Sequence, residues 1–295
     1  MTRDALVPFV FEGAAVRGAC VRMDDAARDA LAAHDYPAPL ARVLGELSAA
    51  AALLAASLKF RGSLFVQLAG SGPVRLAVVE CDHALALRVT AQWDGNAVSG
   101  LPADASLADL AGGAADARLA ITLDPVDGPL YQGIVALEAG SVAALLEHYL
   151  ASSEQLESRL ALASAGGRVG GLLVQRLPGA RDEGALPWTE ASQAMDRVTA
   201  DALLGHDADV TGVLARTFAG RDLRVFAPRT PRFACRCSPA RVEQALRIAG
   251  AVEVEAALAE AGKVEITCEY CGRRYTYTPA QARSLFEAVP PTAPA

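Results

Sequence analysis

Four of the six cysteines stand in the last quarter of the chain, as Cys235-Arg-Cys237 and Cys268-Glu-Tyr-Cys271. The spacing C-x-C-x30-C-x2-C brings four soft sulfur donors in two close pairs, which is what a closed tetrahedral metal site needs. The same four thiolates can be turned into disulfides by an oxidant, so one pattern bears on both metal and redox chemistry. The segment around them, Arg232 to Phe286, is so short that a hydrophobic core alone is a marginal source of stability. A structural zinc supplies an apparent ~10–16 kcal/mol in such units, enough to make binding and folding one event. Zinc itself has no redox chemistry, so oxidant attacks sulfur, and each disulfide formed withdraws two ligands. The expectation is a small fold locked by zinc and unlocked by oxidation.

Other chemistries fit parts of the pattern. An inert zinc ribbon is compatible with the spacing. A rubredoxin-type iron site ordinarily uses two C-x2-C knuckles, and only one is present. A thioredoxin-like catalyst carries its C-x-x-C at the start of a helix that follows a strand, whereas Cys268-Glu-Tyr-Cys271-Gly272 reads as a knuckle between two short strands.

The elements that must position these residues predict an α+β protein: an N-terminal mixed α/β sheet domain over 1–178, a helical linker over 179–231 and a small C-terminal zinc-binding domain over 232–295. β-Branched and aromatic runs between Gly, Pro and Asp predict strands at Val7–Phe11, Ala14–Arg22, Leu64–Ala69, Val74–Glu80, Leu85–Trp93, Leu119–Thr122, Gly133–Glu138 and Leu172–Leu177. Gly70-Ser-Gly-Pro73 predicts a hairpin between two of them. Helices are expected over Asp24–His34, over Pro37–Lys59 with Leu40, Val43, Leu44 and Leu47 as its apolar stripe, and after Ser141 as N-cap. Beyond the turn-rich Pro178–Gly184 come helical stretches near Glu190–Leu204 and Val210–Phe218 with thin apolar content, which need an external surface to pack on. In the cysteine segment, helices at Pro239–Ile248 and Val252–Ala261 precede a strand-turn-strand over Val264–Tyr277.

A hydrophobic content of 52% against 21% charged residues belongs to a folded globular chain. The net charge of −7 weighs against a dedicated nucleic-acid binder. A local exception is the run Arg216, Arg221, Arg224, Arg229, Arg232 and Arg236, opposed only by Asp222, which reads as charge compensating the thiolate centre and solvating the linker. A zinc ribbon that binds nucleic acid through these arginines is the alternative function, and a thiol-disulfide oxidoreductase is a weaker one. No secretion signal is visible, and Leu47–Leu58 is too short to span a bilayer. These features predict a cytoplasmic protein without membrane attachment, in whose reducing surroundings clustered cysteines are metal ligands or redox sensors rather than standing disulfides.

Nothing outside the cysteine segment carries comparable chemistry. Cys20 and Cys81 lie in strand-like runs and read as core thiols. His34, His83, His148 and His206 are scattered, and Gly166–Gly171 lacks the Gly-Lys-Ser/Thr ending of a phosphate loop. No base, nucleophile and oxyanion set converges, so no catalytic residue is assigned and the protein is not expected to be an enzyme.

Phe233-Ala-Cys235-Arg-Cys237-Ser238 and Cys268-Glu-Tyr-Cys271 with Tyr275-Thr-Tyr277 resemble the zinc motifs of the heat-shock protein 33 family of redox-regulated holdase chaperones. The resemblance runs through His34–Pro37, Leu44–Glu46, Leu58–Phe60, Gln67–Pro73, Tyr131–Val135, Ser153–Leu156 and Gly170–Gln175, in the family's order. Glu157-Ser and Pro239-Ala depart from the usual residues without touching a ligand. The resemblance implies one zinc on Cys235, Cys237, Cys268 and Cys271 in the reduced, inactive state, and disulfides Cys235–Cys237 and Cys268–Cys271 after oxidation. It further implies zinc loss, an unfolding metastable linker, a homodimer, and ATP-independent holding of unfolded or oxidatively damaged client proteins. ATP-dependent foldase chaperones and thiol reductants would act downstream.

Overall fold

A computed structural model describes residues 4–113, 115–138, 140–177, 188–206 and 209–286. By its internal contacts the chain divides into two units, Met1–Ala234 and Cys235–Ala295.

The first unit begins with β1 (Ala5–Phe11) and β2 (Val16–Met23), then α1 (Asp25–Leu31) and α2 (Ala38–Ser57). A meander of β3 (Gly62–Ala69), β4 (Val74–Asp82) and β5 (Ala86–Trp93) follows, then the short α3 (Gly95–Ser99) and α4 (Leu107–Ala111). Next come β6 (Arg118–Pro125), β7 (Tyr131–Ala136), α5 (Val142–Ser152) and the hairpin β8 (Ser158–Ala165) and β9 (Arg168–Arg176). The unit closes with α6 (Trp188–Met195), α7 (Ala200–Leu204), α8 (Val210–Thr217), β10 (Leu223–Val225) and β11 (Arg232–Phe233). The strands form two sheets, ordered β10-β1-β2-β9-β8 and β11-β5-β4-β3-β6-β7. All neighbours are antiparallel except β11, which runs parallel to β5.

Helix α2 packs on strands of both sheets. Its alanine run from Ala49 to Ala52 is fully buried, and these small side chains let the flanking strands come close. At Gly45 a Cβ would meet the Ser164 Oγ at 2.1 Å, so only glycine fits there. By length and composition α2 is apolar enough to cross a membrane, but it is the buried core helix of this unit.

The thinly apolar helices predicted near Glu190–Leu204 and Val210–Phe218 find their packing surface on the first sheet. Ala191, Met195, Leu203, Val213, Leu214 and Phe218 cover Phe9, Phe11, Val16, Cys20, Leu172 and Val174. The first predicted helix is broken into α6 and α7, with Thr199 capping α7 through its side chain. The strand β8 and the pairs made by β10 and β11 carry no sequence expectation. The turn-rich opening Pro178–Gly184 lies outside the described residues.

The second unit holds α9 (Pro239–Ala249), α10 (Ala251–Ala261), the antiparallel pair β12 (Val264–Thr267) and β13 (Arg274–Tyr277), and α11 (Pro279–Ser284). Among the described residues its buried apolar side chains are Val242, Leu246, Val254, Leu258, Val264, Tyr277 and Ala282, a small core for the chain it organises.

Candidate metal centre

Local chemistry shapes both cysteine loops. Cys237 precedes Ser238, whose hydroxyl accepts the Arg241 N–H as the N-cap of α9, with Pro239 in the first turn. Cys268 and Cys271 occupy the turn between β12 and β13. The Cys268 N–H donates to Arg273 O at 2.9 Å, and the Gly272 N–H donates to Cys268 O at 2.8 Å. Gly272 has φ +67°, a left-handed conformation that glycine adopts without strain, and this turns both sulfurs to one side.

The four sulfurs of Cys235, Cys237, Cys268 and Cys271 all lie within 4.8 Å of one another, and each residue is half-buried. Two contacts run between the two motifs, Cys235 Sγ to Cys268 Sγ at 3.6 Å and Cys237 Sγ to Cys271 Sγ at 3.4 Å. All six cysteines are free. Tetrahedral zinc thiolates at ~2.3 Å per bond put their sulfurs about 3.8 Å apart, so this cluster has the size and donor set of a closed metal site.

The sulfurs are electrostatically unequal. Burial pushes the Cys271 thiol up to about 12, and hydrogen bonds with Cys237, Cys235 and Cys268 add to the rise. Burial raises Cys235 as well. It acts in the same direction on Cys237, but there hydrogen bonds from Tyr275 and the other three cysteines outweigh it and bring the thiol down to about 7. The Tyr275 hydroxyl donates to Cys237 Sγ at 3.1 Å. Its partner Arg273 is raised by the hydrogen bond with Tyr275 and by the charges of Cys237 and Cys271. The sequence motif took in Tyr275 by resemblance without giving it a role, and Arg273 was not singled out. The alternating Arg273-Arg-Tyr275-Thr-Tyr277 beside the knuckle was the available signal.

Four of the six arginines in the run, Arg221, Arg224, Arg229 and Arg232, make contacts within the first unit. Arg221 pairs with Glu190, and Arg224 pairs with Glu12. Arg229 donates to His83 O, and Arg232 donates to Ala84 O at 3.4 Å. These side chains fasten the returning segment to the first unit. Arg273, outside the run, is a cation beside the sulfurs of Cys237 and Cys271.

The other candidates are placed as follows. Cys20 and Cys81 are buried, and burial pushes each thiol up to about 12. His34 stacks against Tyr36 and Trp93, and His83 Nδ1 faces the Gly62 backbone. Gly166 and Gly167, both with positive φ, form the tight turn of the β8–β9 hairpin, so that glycine run is a turn and a strand.

A family model described as Hsp33 protein matches residues 4–278. The 33 kDa chaperonin of Chromobacterium violaceum is 43% identical over 286 residues, covering 96% of this chain and 94% of the relative. That of Shewanella loihica is 39% identical over 290 residues, covering 98% of each. The crystal structure of the 33 kDa chaperonin, a heat shock protein 33 homolog, from Thermotoga maritima superposes with a TM-score of 0.76 at 20% identity, over 96% of this chain and 97% of that one.

Proposed function

The chain belongs to the Hsp33 family and is a redox-regulated chaperone; we propose that its four clustered cysteines are the switch and that its clients are unfolding or oxidatively damaged proteins. The observation that carries this reading is the convergence of Cys235, Cys237, Cys268 and Cys271 within 4.8 Å, in a unit whose own core is small. Zinc, when bound to the four thiolates, supplies the cross-link that this small core lacks.

The switching chemistry belongs to sulfur. A peroxide takes two electrons from one thiolate and leaves a sulfenic acid, and a second thiol attacks it, forming the disulfide and releasing water. The family resemblance implies pairing within each motif, and loop closure is consistent with it. A disulfide Cys235–Cys268 or Cys237–Cys271 would close a loop of 33 or 34 residues and stabilise the unit by about 3–4 kcal/mol, opposing release. Disulfides Cys235–Cys237 and Cys268–Cys271 close very short loops, leave the two motifs unlinked and withdraw all four ligands. The proposed oxidised state has the within-motif pairs, although sulfurs of the two motifs also stand in contact in the reduced state.

In the proposed division of labour, residues 1–178 form the client-binding and dimerising core, 179–231 the releasable linker and 232–295 the switch. The described linker helices bury the apolar face of the first sheet, so their departure would uncover Phe9, Phe11, Leu172 and Val174 for clients. Holding unfolded chains by exposed apolar surface needs neither ATP nor a catalytic residue. A homodimer of the oxidised form, a cytoplasmic setting and later hand-over to ATP-dependent foldases and thiol reductants complete the proposal.

The test is light scattering from a chemically unfolding client, with bound zinc and free thiols counted in the same samples. Suppression of aggregation only after peroxide, together with zinc release and loss of four thiols, is the expected result. Equal suppression by reduced and oxidised protein, or zinc retained after oxidation, would sink the switch.

A further inference from the structure

Helix α7 ends on a pair of guanidinium groups. Arg22 on β2 donates through Nη1 to Leu203 O at 3.3 Å and to Gly205 O at 3.0 Å. Arg168 on β9 donates through Nη1 to Leu204 O at 2.8 Å. Three successive carbonyls at the C-terminal end of α7, where intrahelical donors run out and the helix dipole is negative, are thus met by two cations. The floor between them is Gly170, the direct cross-strand partner of Arg22. A Cβ at Gly170 would stand 3.0 Å from both Leu203 Cβ and Leu203 O, so the bare backbone is what lets the helix seat.

We infer that Arg22 and Arg168 are positioning residues that latch α7 onto the first sheet and set how readily the α6–α8 segment leaves it. The inference rests on the proposed release of that segment. Leu203 and Leu204 are buried, so losing a donor removes a charge-assisted hydrogen bond from a carbonyl with little access to solvent, which is costlier than losing an ordinary one. A helix as short as α7 has little stability of its own to offset the loss.

The two sides of the latch respond differently to opening. Arg22 is also held by Asp24, Nε to Oδ1 at 2.8 Å and Nη2 to Oδ2 at 3.3 Å. Asp24 is fixed in turn, because its backbone N–H donates to Asp4 Oδ1 at 2.6 Å. When α7 departs, the Arg22 guanidinium keeps a carboxylate partner and stays poised. The core half of the latch is therefore preserved in the open state, and the segment can reseat.

Cys20 provides the readout, since it is 1% exposed on the sheet face that α6–α8 cover. Its alkylation by N-ethylmaleimide, followed by peptide mass spectrometry on the full-length protein, reports whether the segment has lifted. In the reduced, zinc-loaded protein, Arg168→Ala is expected to label at Cys20 about tenfold faster than wild type, the scale set by one charge-assisted hydrogen bond, and to suppress client aggregation without oxidant. Gly170→Ala, which crowds Leu203 without altering charge, is expected to do the same. Arg28→Ala, which removes only an exposed ion pair, is the control expected to match wild type. Wild-type labelling in a folded Arg168→Ala, or an equal rise in Arg28→Ala, overturns the latch. If Arg168→Ala does not fold, Gly170→Ala decides, and wild-type labelling there overturns it. If peroxide-treated wild type neither labels at Cys20 nor holds client, the release reading itself fails. If it does both while the variants stay silent, only the latch fails.

Discussion

Cys20 and Cys81 share a residue type with the metal-site cysteines but behave as their opposite, because burial rather than spacing governs them. Each is pushed up to about 12 by loss of solvent, so neither offers a thiolate at neutral pH. The consequence for stability has a definite sign. Below the ordinary thiol pKa of 9.0 both folded and unfolded chains keep the proton and there is no pH dependence from these groups. Above it the unfolded chain ionises while the folded one does not, so stability falls from there until the folded pKa is reached. Each thiol adds a slope of about 1.4 kcal/mol per pH unit. Urea unfolding of the first unit between pH 9 and 11 should therefore steepen in its decline, and Cys81→Ala should remove one thiol's share of it. An unchanged slope in the variant would show that Cys81 does not titrate in the unfolded state as argued. At this scale the clustering of the four cysteines was legible in the sequence, because metal coordination demands residue types at short spacings. The roles of Tyr275 and Arg273 were not, since they come from a turn that brings β13 back beside Cys237.

Secondary structure was readable where the local pattern and the tertiary environment agree. Helix α2 follows from its stripe and its proline-marked start, and the α5 N-cap at Ser141 is where the sequence puts it. Strand β8, Ser-Arg-Leu-Ala-Leu-Ala-Ser-Ala, has a composition that favours helix and became a strand through its neighbours. The two-glycine turn pairs it with β9, and Glu147 accepts the Leu160 N–H at 2.7 Å. The seating of α6–α8 was equally hidden, because a helix with few apolar residues does not say which surface will receive them. The alanine face of α2 carries its own prediction. Ala51 is fully buried, with α2 packed on strands of both sheets and no slack on either side. Ala51→Leu forces in extra volume and should lower the stability of the first unit by about 1–3 kcal/mol, measured as a shift in urea midpoint with unchanged m. A midpoint equal to wild type would mean the layers can part at little cost.

For the molecule as a whole, the decisive contrast lies in how its two units are stabilised. Among its described residues the first has two apolar clusters that run through two sheets and eight helices up to Ala234. The second has a few buried side chains between α9, α10, β12 and α11, and its exposed apolar residues Ile248 and Val252 add nothing to that core. Burial of so little surface hardly offsets the ordering entropy of the unit, so the sulfur cluster has to supply the remainder. Removing the metal from reduced protein with a strong chelator should therefore melt one unit and spare the other. Hydrogen exchange after chelation should lose protection across 239–284 while α2 and the strands around it keep theirs. Heating the zinc-loaded protein in increasing chelator should separate one unfolding transition into two, the lower one tracking bound zinc. Cys268→Ser should reproduce the chelated pattern without chelator, because a hydroxyl is a poor substitute for thiolate in a four-sulfur site. Continued protection of 239–284 in the metal-free protein would mean that its apolar core suffices, and the sulfur cluster would then be a sensor without a structural hold on the unit that carries it.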